Sequence, residues 1–285
     1  MSVVTVKNIY YLGPDGSNGH NAMLKFLELC NINAENLVAE KSIKSVLDAF
    51  KKDSLSLCVL PIENSIEGIV RETIDNFLKV SDETIQIQAE YTLPIHHMML
   101  AKTLDKSKIK RVISHPQALA QCGNHLYKNF PDVELKEVSS TSYAAQKVAI
   151  ENDETIAALA NETCAKIFGL NILESDMNDE KGNKTRFYLF GRNVISNDDE
   201  VGKTAVVLST KNKPGALCEV LKIYSKHCIN LTYIDSRPSK KKMGEYLFFM
   251  ELDGLKDEER IKNALEELNE HVDFIKILGS FKVCN

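Results

Sequence analysis

The sequence predicts an α/β domain of two lobes followed by a smaller α+β domain of ferredoxin-like βαββαβ order. Three observations carry this. The first two-thirds of the chain alternate short apolar runs with amphipathic helical stretches, the pattern of parallel sheets with helical crossovers. That alternation is interrupted twice, by one long extended segment and by one polar stretch. The last third runs strand, helix, strand, strand, helix, strand. At 285 residues, 44% of them hydrophobic, the chain is long enough for two domains with separate cores.

In chain order, a first strand is expected over residues 8–12 and helices over 20–29 and 43–51. Residues 55–60 suit an interior strand through Leu57, Val59 and Leu60, with Pro61 expected to stop it. A helix follows over 71–78, starting near Val70. Residues 84–100, TIQIQAEYTLPIHHMML, read as one long extended segment without a helix, a crossing from one lobe to the other. Strands at 111–114, 133–138 and 155–159 then alternate with helices at 117–128, 143–150 and 161–168. The polar stretch 174–184 precedes TRFYLFGR, which carries the chain back. Two lobes joined by two crossings imply a cleft between them and hinge closure. Residues 193–202 have the polarity of a linker. Beyond them come strand 204–210, helix 214–227 with Pro214 in its first turn, strand 229–236, a basic turn SKKKMGE, strand 246–252, helix 257–270 and strand 274–281.

Composition narrows the function. A net charge of -5 leaves no basic stripe for nucleic acid, and the three lysines beside Met243 and Gly244 form too short a run to make one. No apolar run approaches a membrane span. The start MSVVTVKNIYYLG lacks the features of a signal peptide, so a cytoplasmic protein is expected. The seven cysteines (Cys30, Cys58, Cys122, Cys164, Cys218, Cys228, Cys284) are dispersed without a CxxC pair, which argues for packing rather than a disulfide framework or zinc. His96 and His97 are adjacent, so a strand would send them to opposite faces, and they make a poor metal pair. Neither a metal nor another cofactor is expected.

Five strands of the larger domain end in polar turns: 13–20 (GPDGSNGH), 61–65 (PIENS), 114–117 (SHPQ), 139–142 (SSTS) and 160–163 (ANET). N-capping, worth about 1 kcal/mol per helix, accounts for Thr141 and Asn161. It accounts less well for Gly13, Gly16 and Gly19, which would let a ligand approach the backbone at a helix entrance. The glycines do not fit G-x-G-x-x-G, and no P-loop lysine is present. The site expected is therefore one for a small carboxylate in the interlobe cleft.

The motifs LGPDGSNGH, LPIENSIEG, SHPQALAQC, SSTSYAAQ and NKTRFYLF resemble, in sequence and in order, those of the prephenate dehydratases. PGALC at 214–218 and DSRP at 235–238 resemble the ACT regulatory domain found in that family. The resemblance implies a periplasmic-binding-protein-like catalytic domain of two lobes over 1–192 and an ACT domain over 203–285. It implies conversion of prephenate to phenylpyruvate, water and carbon dioxide without a cofactor. Thr185 would hydrogen-bond the leaving oxygen, its own pKa being too high for a strong acid. Asn64 and Gln121 would complete the catalytic group as substrate-positioning amides. Substrate binding would fall to Glu63, Ser65, Ser114, Thr141 and Arg186. Glu63 is open between proton donor and orienting group, and Arg186 between a carboxylate clamp and a structural ion pair. Phe187 would pack in the core, and His115, before Pro116, would shape its turn rather than act as an acid. Asn18, Arg71 and Ser139 depart from the family pattern, which leaves arogenate open as the substrate. A non-catalytic amino-acid sensor on the same fold is the reading of a different class.

In the ACT domain the resemblance implies a phenylalanine site at Gly215, Ala216, Leu217, Asn230, Leu231, Asp235, Ser236, Arg237 and Pro238, between domains paired in a homodimer or homotetramer. The partners expected are thus prephenate and L-phenylalanine. A first strand near residue 8 leaves no room before it for the helical chorismate mutase segment some relatives carry, and a single activity is expected.

Overall fold

The computed structural model describes residues 3–80, 82–192, 201–239 and 245–284. The expected linker lies mostly outside the described residues, as does most of the basic turn with Met243 and Gly244. The chain divides into two compact units, one of residues 1–79 and 91–187, the other of 80–90 and 188–285.

The first unit contains two lobes. One is built from β1 (Val4–Leu12), α1 (Asn18–Leu29), β2 (Ile32–Glu40), α2 (Ile43–Lys52), β3 (Ser56–Asn64), a short β4 (Gly68–Ile69) and α3 (Arg71–Phe77). Then β5 (Gln86–Pro94) leads away from it. The strands β1, β2 and β3 pair in parallel with β1 in the middle. The core of this lobe holds Ile9, Met23, Phe26, Leu47, Phe50 and Leu57. The expected strands are present, with three differences. β2 carried no apolar signal because it is an edge strand, mostly exposed along INAENLVAE. Val4 rather than residue 8 opens β1. Pro61 does not end β3, which continues to Asn64. Pairing of β3 with β1 has already stopped at Val59, so the missing proline N–H interrupts no bond of that ladder.

The second lobe contains β6 (Met98–Ala101), a 3-10 turn (Lys106–Lys108), β7 (Arg111–Ser114), α4 (Pro116–Gln121), α5 (Gly123–Asn129), β8 (Glu134–Glu137), α6 (Thr141–Glu151), β9 (Ile156–Ala160), α7 (Glu162–Phe168) and β10 (Asn171–Glu174). Its five strands lie in the order β10-β6-β9-β7-β8. One hydrophobic cluster around Ile113, Val148, Ala158 and Leu170 packs with α6 and α7, and another around Val112, Leu126 and Leu159 packs with α4 and α5. The segment read as one strand over 84–100 is thus two, β5 and β6, broken at 95–97 as the chain passes between lobes. The helix expected over 117–128 is likewise broken at Cys122. The chain returns through 175–183 into β11 (Lys184–Gly191).

The two crossings run side by side. Ile95 donates its N–H to the Asn183 carbonyl (2.8 Å), Met177 donates to the His97 carbonyl (2.9 Å), and the His97 N–H meets Asn178 Oδ1 at 2.7 Å. After β1, which runs parallel to β3, the 13–19 turn touches the second lobe. Ser142 Oγ donates to the Asp15 carbonyl, and Asn161 Nδ2 (2.7 Å) and Cys164 Sγ (3.3 Å) donate to that of Gly16.

The second unit carries β12 (Gly202–Thr210), α8 (Ala216–Lys226), β13 (Leu231–Pro238), β14 (Tyr246–Asp253), α9 (Glu259–His271) and β15 (Val272–Cys284), the expected βαββαβ order. Its strands lie β13-β14-β12-β15, followed by β5. The helices α8 and α9 cover one hydrophobic cluster that includes Val206, Val220, Met250, Ile261 and Leu268. Pro214 precedes the helix instead of opening it. Gly215 is the N-cap, at φ +81°, a left-handed conformation that a first-turn residue does not adopt. On this sheet Lys203 bridges two buried carboxylates, 3.0 Å from both Glu90 oxygens and 3.2 Å from Glu251 Oε2, and Tyr188 donates its hydroxyl proton to Glu251. Replacing Lys203 by methionine removes the cation between two carboxylates that stay buried, a loss of about 3–5 kcal/mol. Urea unfolding of Lys203→Met checks this, and a cost under about 1 kcal/mol would mean the cluster is solvated.

Candidate functional site

The residues expected to act together come from three places, β3, α4 and the start of β11, and the hinge connects them. Asn64 ends β3. Its side-chain Oδ1 accepts the backbone N–H groups of Ile66 and Glu67, both at 3.0 Å, which fixes the amide at the turn into β4. Its Nδ2 lies 2.9 Å from Thr185 Oγ1 and 2.9 Å from Asn183 Oδ1. Asn183 Nδ2 lies 3.1 Å from Gln121 Oε1, and His97 Nε2 lies 3.1 Å from the same oxygen. Thr185, Asn64 and Gln121 are thereby part of one hydrogen-bonded line through Asn183.

Asn183 and His97 are the members that sequence reasoning missed. Asn183 lies in the NKTRFYLF motif two residues before Thr185, and His97 in the sequence is one of two adjacent histidines that make a poor metal pair. Both are buried, whereas the neighbouring His96 is exposed. The polar residue just before Thr185 was the available signal for Asn183. Nothing in the local pattern pointed to His97, because its partner is 24 residues away. Burial pulls the His97 pKa below its ordinary value, and His20 is lowered by burial too.

The remaining candidates divide by what they already hold. Glu63 and Arg186 pair with each other, Oε2 to Nη1, at 3.4 Å. Ser65 ties β3 to β11, its N–H meeting the Lys184 carbonyl (2.9 Å) and its Oγ accepting the Lys184 N–H (3.0 Å). Ser114 is fully buried and donates to the Leu159 carbonyl at 2.7 Å, a bond inside the second sheet. Thr141 is the first residue of α6, while the N-cap role expected of it belongs to Ser140. His115 caps α4 by accepting the Gln117 N–H (3.3 Å), and Asn161 caps α7 as expected. Phe187 is buried.

The glycine turn differs from its sequence reading. Gly13 N–H donates to the Glu40 carbonyl, Gly16 N–H to His20 Nδ1 and Ser17 N–H to the Pro14 carbonyl. These amides are occupied by the protein itself, so they do not form an anion cradle. A Cβ on Gly19 would sit 2.3 Å from the Leu12 carbonyl oxygen, and one on Gly16 would sit 2.8 Å from Cys164 Sγ. The glycines permit close approach of chain to chain rather than of ligand to chain.

In the second unit, the residues expected around phenylalanine lie on two elements. Gly215, Ala216 and Leu217 form the entrance of α8, where Gly215 is exposed. Asn230 precedes β13, and Leu231 opens that strand. Asp235 and Arg237 form an ion pair on β13 at 2.6 Å, Ser236 is exposed between them, and Pro238 ends the strand.

A family model described as prephenate dehydratase matches residues 9–194, and one described as ACT domain matches 204–270. The chain belongs to the prephenate dehydratase family. Within it, the prephenate dehydratase of Methanocaldococcus jannaschii is 41% identical over 97% of this chain and 98% of its own length. Among solved structures, the prephenate dehydratase of Arthrobacter aurescens in complex with L-Phe is 28% identical with a TM-score of 0.83, covering 96% of this chain and 90% of that one. The quorum quenching acylase GqqA shares the fold alone, at 22% identity and a TM-score of 0.81 over 96% of this chain and 97% of that one. No described helix is long and apolar enough to cross a membrane.

Two measurements separate structural from site roles here. Ser114→Ala leaves the Leu159 carbonyl without its hydroxyl donor, so the free energy of unfolding should fall by about 1–2 kcal/mol while turnover stays unchanged; a selective loss of turnover would return Ser114 to the site. Because His97 and His20 have lowered pKa values in the fold, the unfolded chain takes up protons first as the pH falls below about 6.5. Stability is therefore full above that value and declines through more acid pH. His97→Gln should shrink the decline seen by urea unfolding between pH 7.5 and 5.5.

Proposed function

We propose that this chain removes carbon dioxide and water from prephenate to give phenylpyruvate, with Thr185, Asn64 and Gln121 as the groups that touch the substrate. The single observation that carries the reading is the fixed pairing of Asn64 with Thr185. Asn64 Nδ2 shares its two protons among Thr185 Oγ1, Asn183 Oδ1 and the Lys184 carbonyl, so toward Thr185 it is a donor; the threonine hydroxyl keeps its own proton to give, and among the described residues nothing else accepts it. A hydroxyl fixed in this way can hydrogen-bond the departing ring oxygen.

The chemistry balances without a nucleophile. The bond from the ring to its carboxylate breaks, and its electron pair enters the ring. The bond from ring carbon to hydroxyl breaks as that oxygen takes up one proton and leaves as water. One proton is consumed per dianion converted to phenylpyruvate monoanion and carbon dioxide. Thr185 stabilises the oxygen as it departs rather than supplying that proton. Its alcohol pKa is too high for an acid of this kind. Asn64 orients Thr185, and Gln121 faces the substrate from the opposite lobe. Closure of the lobes about the 95–97 and 175–183 crossings desolvates the departing carboxylate. Glu63 and Arg186, already paired, keep the wall of the cleft locally neutral, with Thr141 at the entrance of α6 as a further hydroxyl donor to the acid.

We assign regulation to residues 203–285, with L-phenylalanine bound beside Gly215 and the Asp235–Pro238 segment and the chain acting in the cytoplasm as a homodimer or larger homo-oligomer. Support comes from the match to the ACT domain and from the relative whose structure contains L-Phe.

The deciding assay follows phenylpyruvate absorbance from prephenate, with arogenate run in parallel. Thr185→Ala should lower kcat by about two orders of magnitude, the effect of losing one preorganised donor, with little change in unfolding. Turnover of arogenate but not prephenate would change the substrate, and binding of phenylalanine without any turnover would make the protein a sensor. Added phenylalanine should inhibit the unaltered chain. Proline cannot hold φ +81°, so Gly215→Pro should weaken that inhibition while leaving uninhibited turnover in place.

A further inference from the structure

We infer that His97 and Asn183 are positioning residues that hold the Gln121 carboxamide in one orientation, its oxygen toward themselves and its NH2 group left to donate to the bound acid. This rests on the prephenate reading and adds to it two residues and a direction of hydrogen bonding.

The direction follows from groups whose roles cannot be exchanged. An asparagine or glutamine amide can be turned end for end, and the same distances then fit either way. Backbone N–H groups cannot. Ile66 and Glu67 both present N–H groups to Asn64 Oδ1, so that atom is the oxygen and the other is the NH2 group. The NH2 group of Asn64 faces Asn183, which must answer with its oxygen. Asn183 then turns its own NH2 group to Gln121, which must answer with oxygen in its turn. His97 Nε2 faces that same oxygen, and two acceptors do not bond, so the nitrogen must carry the proton. Four side chains are thus set by two main-chain amides.

His97 is suited to this duty. Its ring is buried, which keeps it neutral, and a neutral imidazole has a single N–H. Its backbone is clamped on both sides by the returning crossing, through Asn178 and Met177. What remains is the NH2 group of Gln121. That nitrogen is buried and has no hydrogen-bond partner among the described residues. A buried donor without an acceptor costs stability, and the neighbours fix it in place instead of letting it rotate to find one. Its acceptor is the substrate's carboxylate or hydroxyl. The line therefore ends in two donors that no described protein group takes up, the Thr185 O–H and the Gln121 NH2.

The test measures kcat/KM for prephenate in the full-length chain. His97→Leu removes the donor and should lower it about tenfold or more, whereas His97→Gln, which keeps an N–H, should stay within about threefold. Asn183→Asp can accept from Asn64 but has nothing to give Gln121, and should fall like His97→Leu. With Gln121→Ala already present, His97→Leu should change kcat/KM less than about twofold, because His97 works through that amide. Equal losses in both backgrounds would show a merely structural role and overturn the inference. Nitrogen-15 NMR of the unaltered protein supplies a readout that does not depend on turnover: His97 should be the neutral Nε2–H tautomer at pH 7, and an Nδ1–H ring would overturn the inference by itself. A chain inert toward prephenate but with the Nε2–H ring would instead count against the substrate.

Discussion

Everything at the site follows from two main-chain N–H groups at the turn after β3. Ile66 and Glu67 aim them at one carboxamide oxygen, that of Asn64, and they have no alternative conformation in which they become acceptors. Side-chain amides are otherwise reversible, and a row of three of them would be free to point either way. Tying the first to the backbone makes the row directional. The apolar strand that precedes the turn, fully buried through Ile62, gives this anchor its rigidity. A buried strand, a turn and a relay of amides are thus one device, and the lobe's core is part of the chemistry it supports.

The large features of the fold were legible because they depend on apolar content. Interior strands β3, β7 and β9 and the amphipathic α2 and α8 announce themselves by what they bury. The features that were missed bury little. β2 and β10 are edge strands with almost no fully buried side chains, held by main-chain bonds that any sequence can make. The breaks at 95–97 and at Cys122 are set by where the chain must change lobes or direction, which no local periodicity records. Pro61 misled for a related reason. A proline's effect depends on whether a neighbouring strand needs its N–H, and that is a property of pairing.

At the site, the residue types were legible and their connections were not. Thr185, Asn64 and Gln121 carried motif signals, but Asn183 joins them from a polar stretch that reads as an ordinary connector, and His97 joins from a segment that reads as plain strand. Ser114 and Ser65 had the same motif signals and are engaged in holding strands and turns together. The glycines of the first turn were the most misleading. Flexibility and openness to a ligand have the same sequence signature as tight contact between two parts of a chain, and only the distance from Gly19 to the Leu12 carbonyl tells them apart.

The contact of that turn with the second lobe has an uneven character. On the 13–19 side, the acceptors are carbonyls of Asp15 and Gly16, whereas the other side offers the particular groups of Ser142, Asn161 and Cys164. Substitutions at Ser142 or Asn161 remove donors from this joint, whereas at Asp15 the bond across it is made by the main chain and the side chain is engaged elsewhere, accepting the Tyr11 hydroxyl. On the loop itself the constraint falls on residues that must stay small, Gly16 and Gly19, where a Cβ would meet Cys164 Sγ and the Leu12 carbonyl, so one side of this joint is held by what is absent from its side chains and the other by what is present.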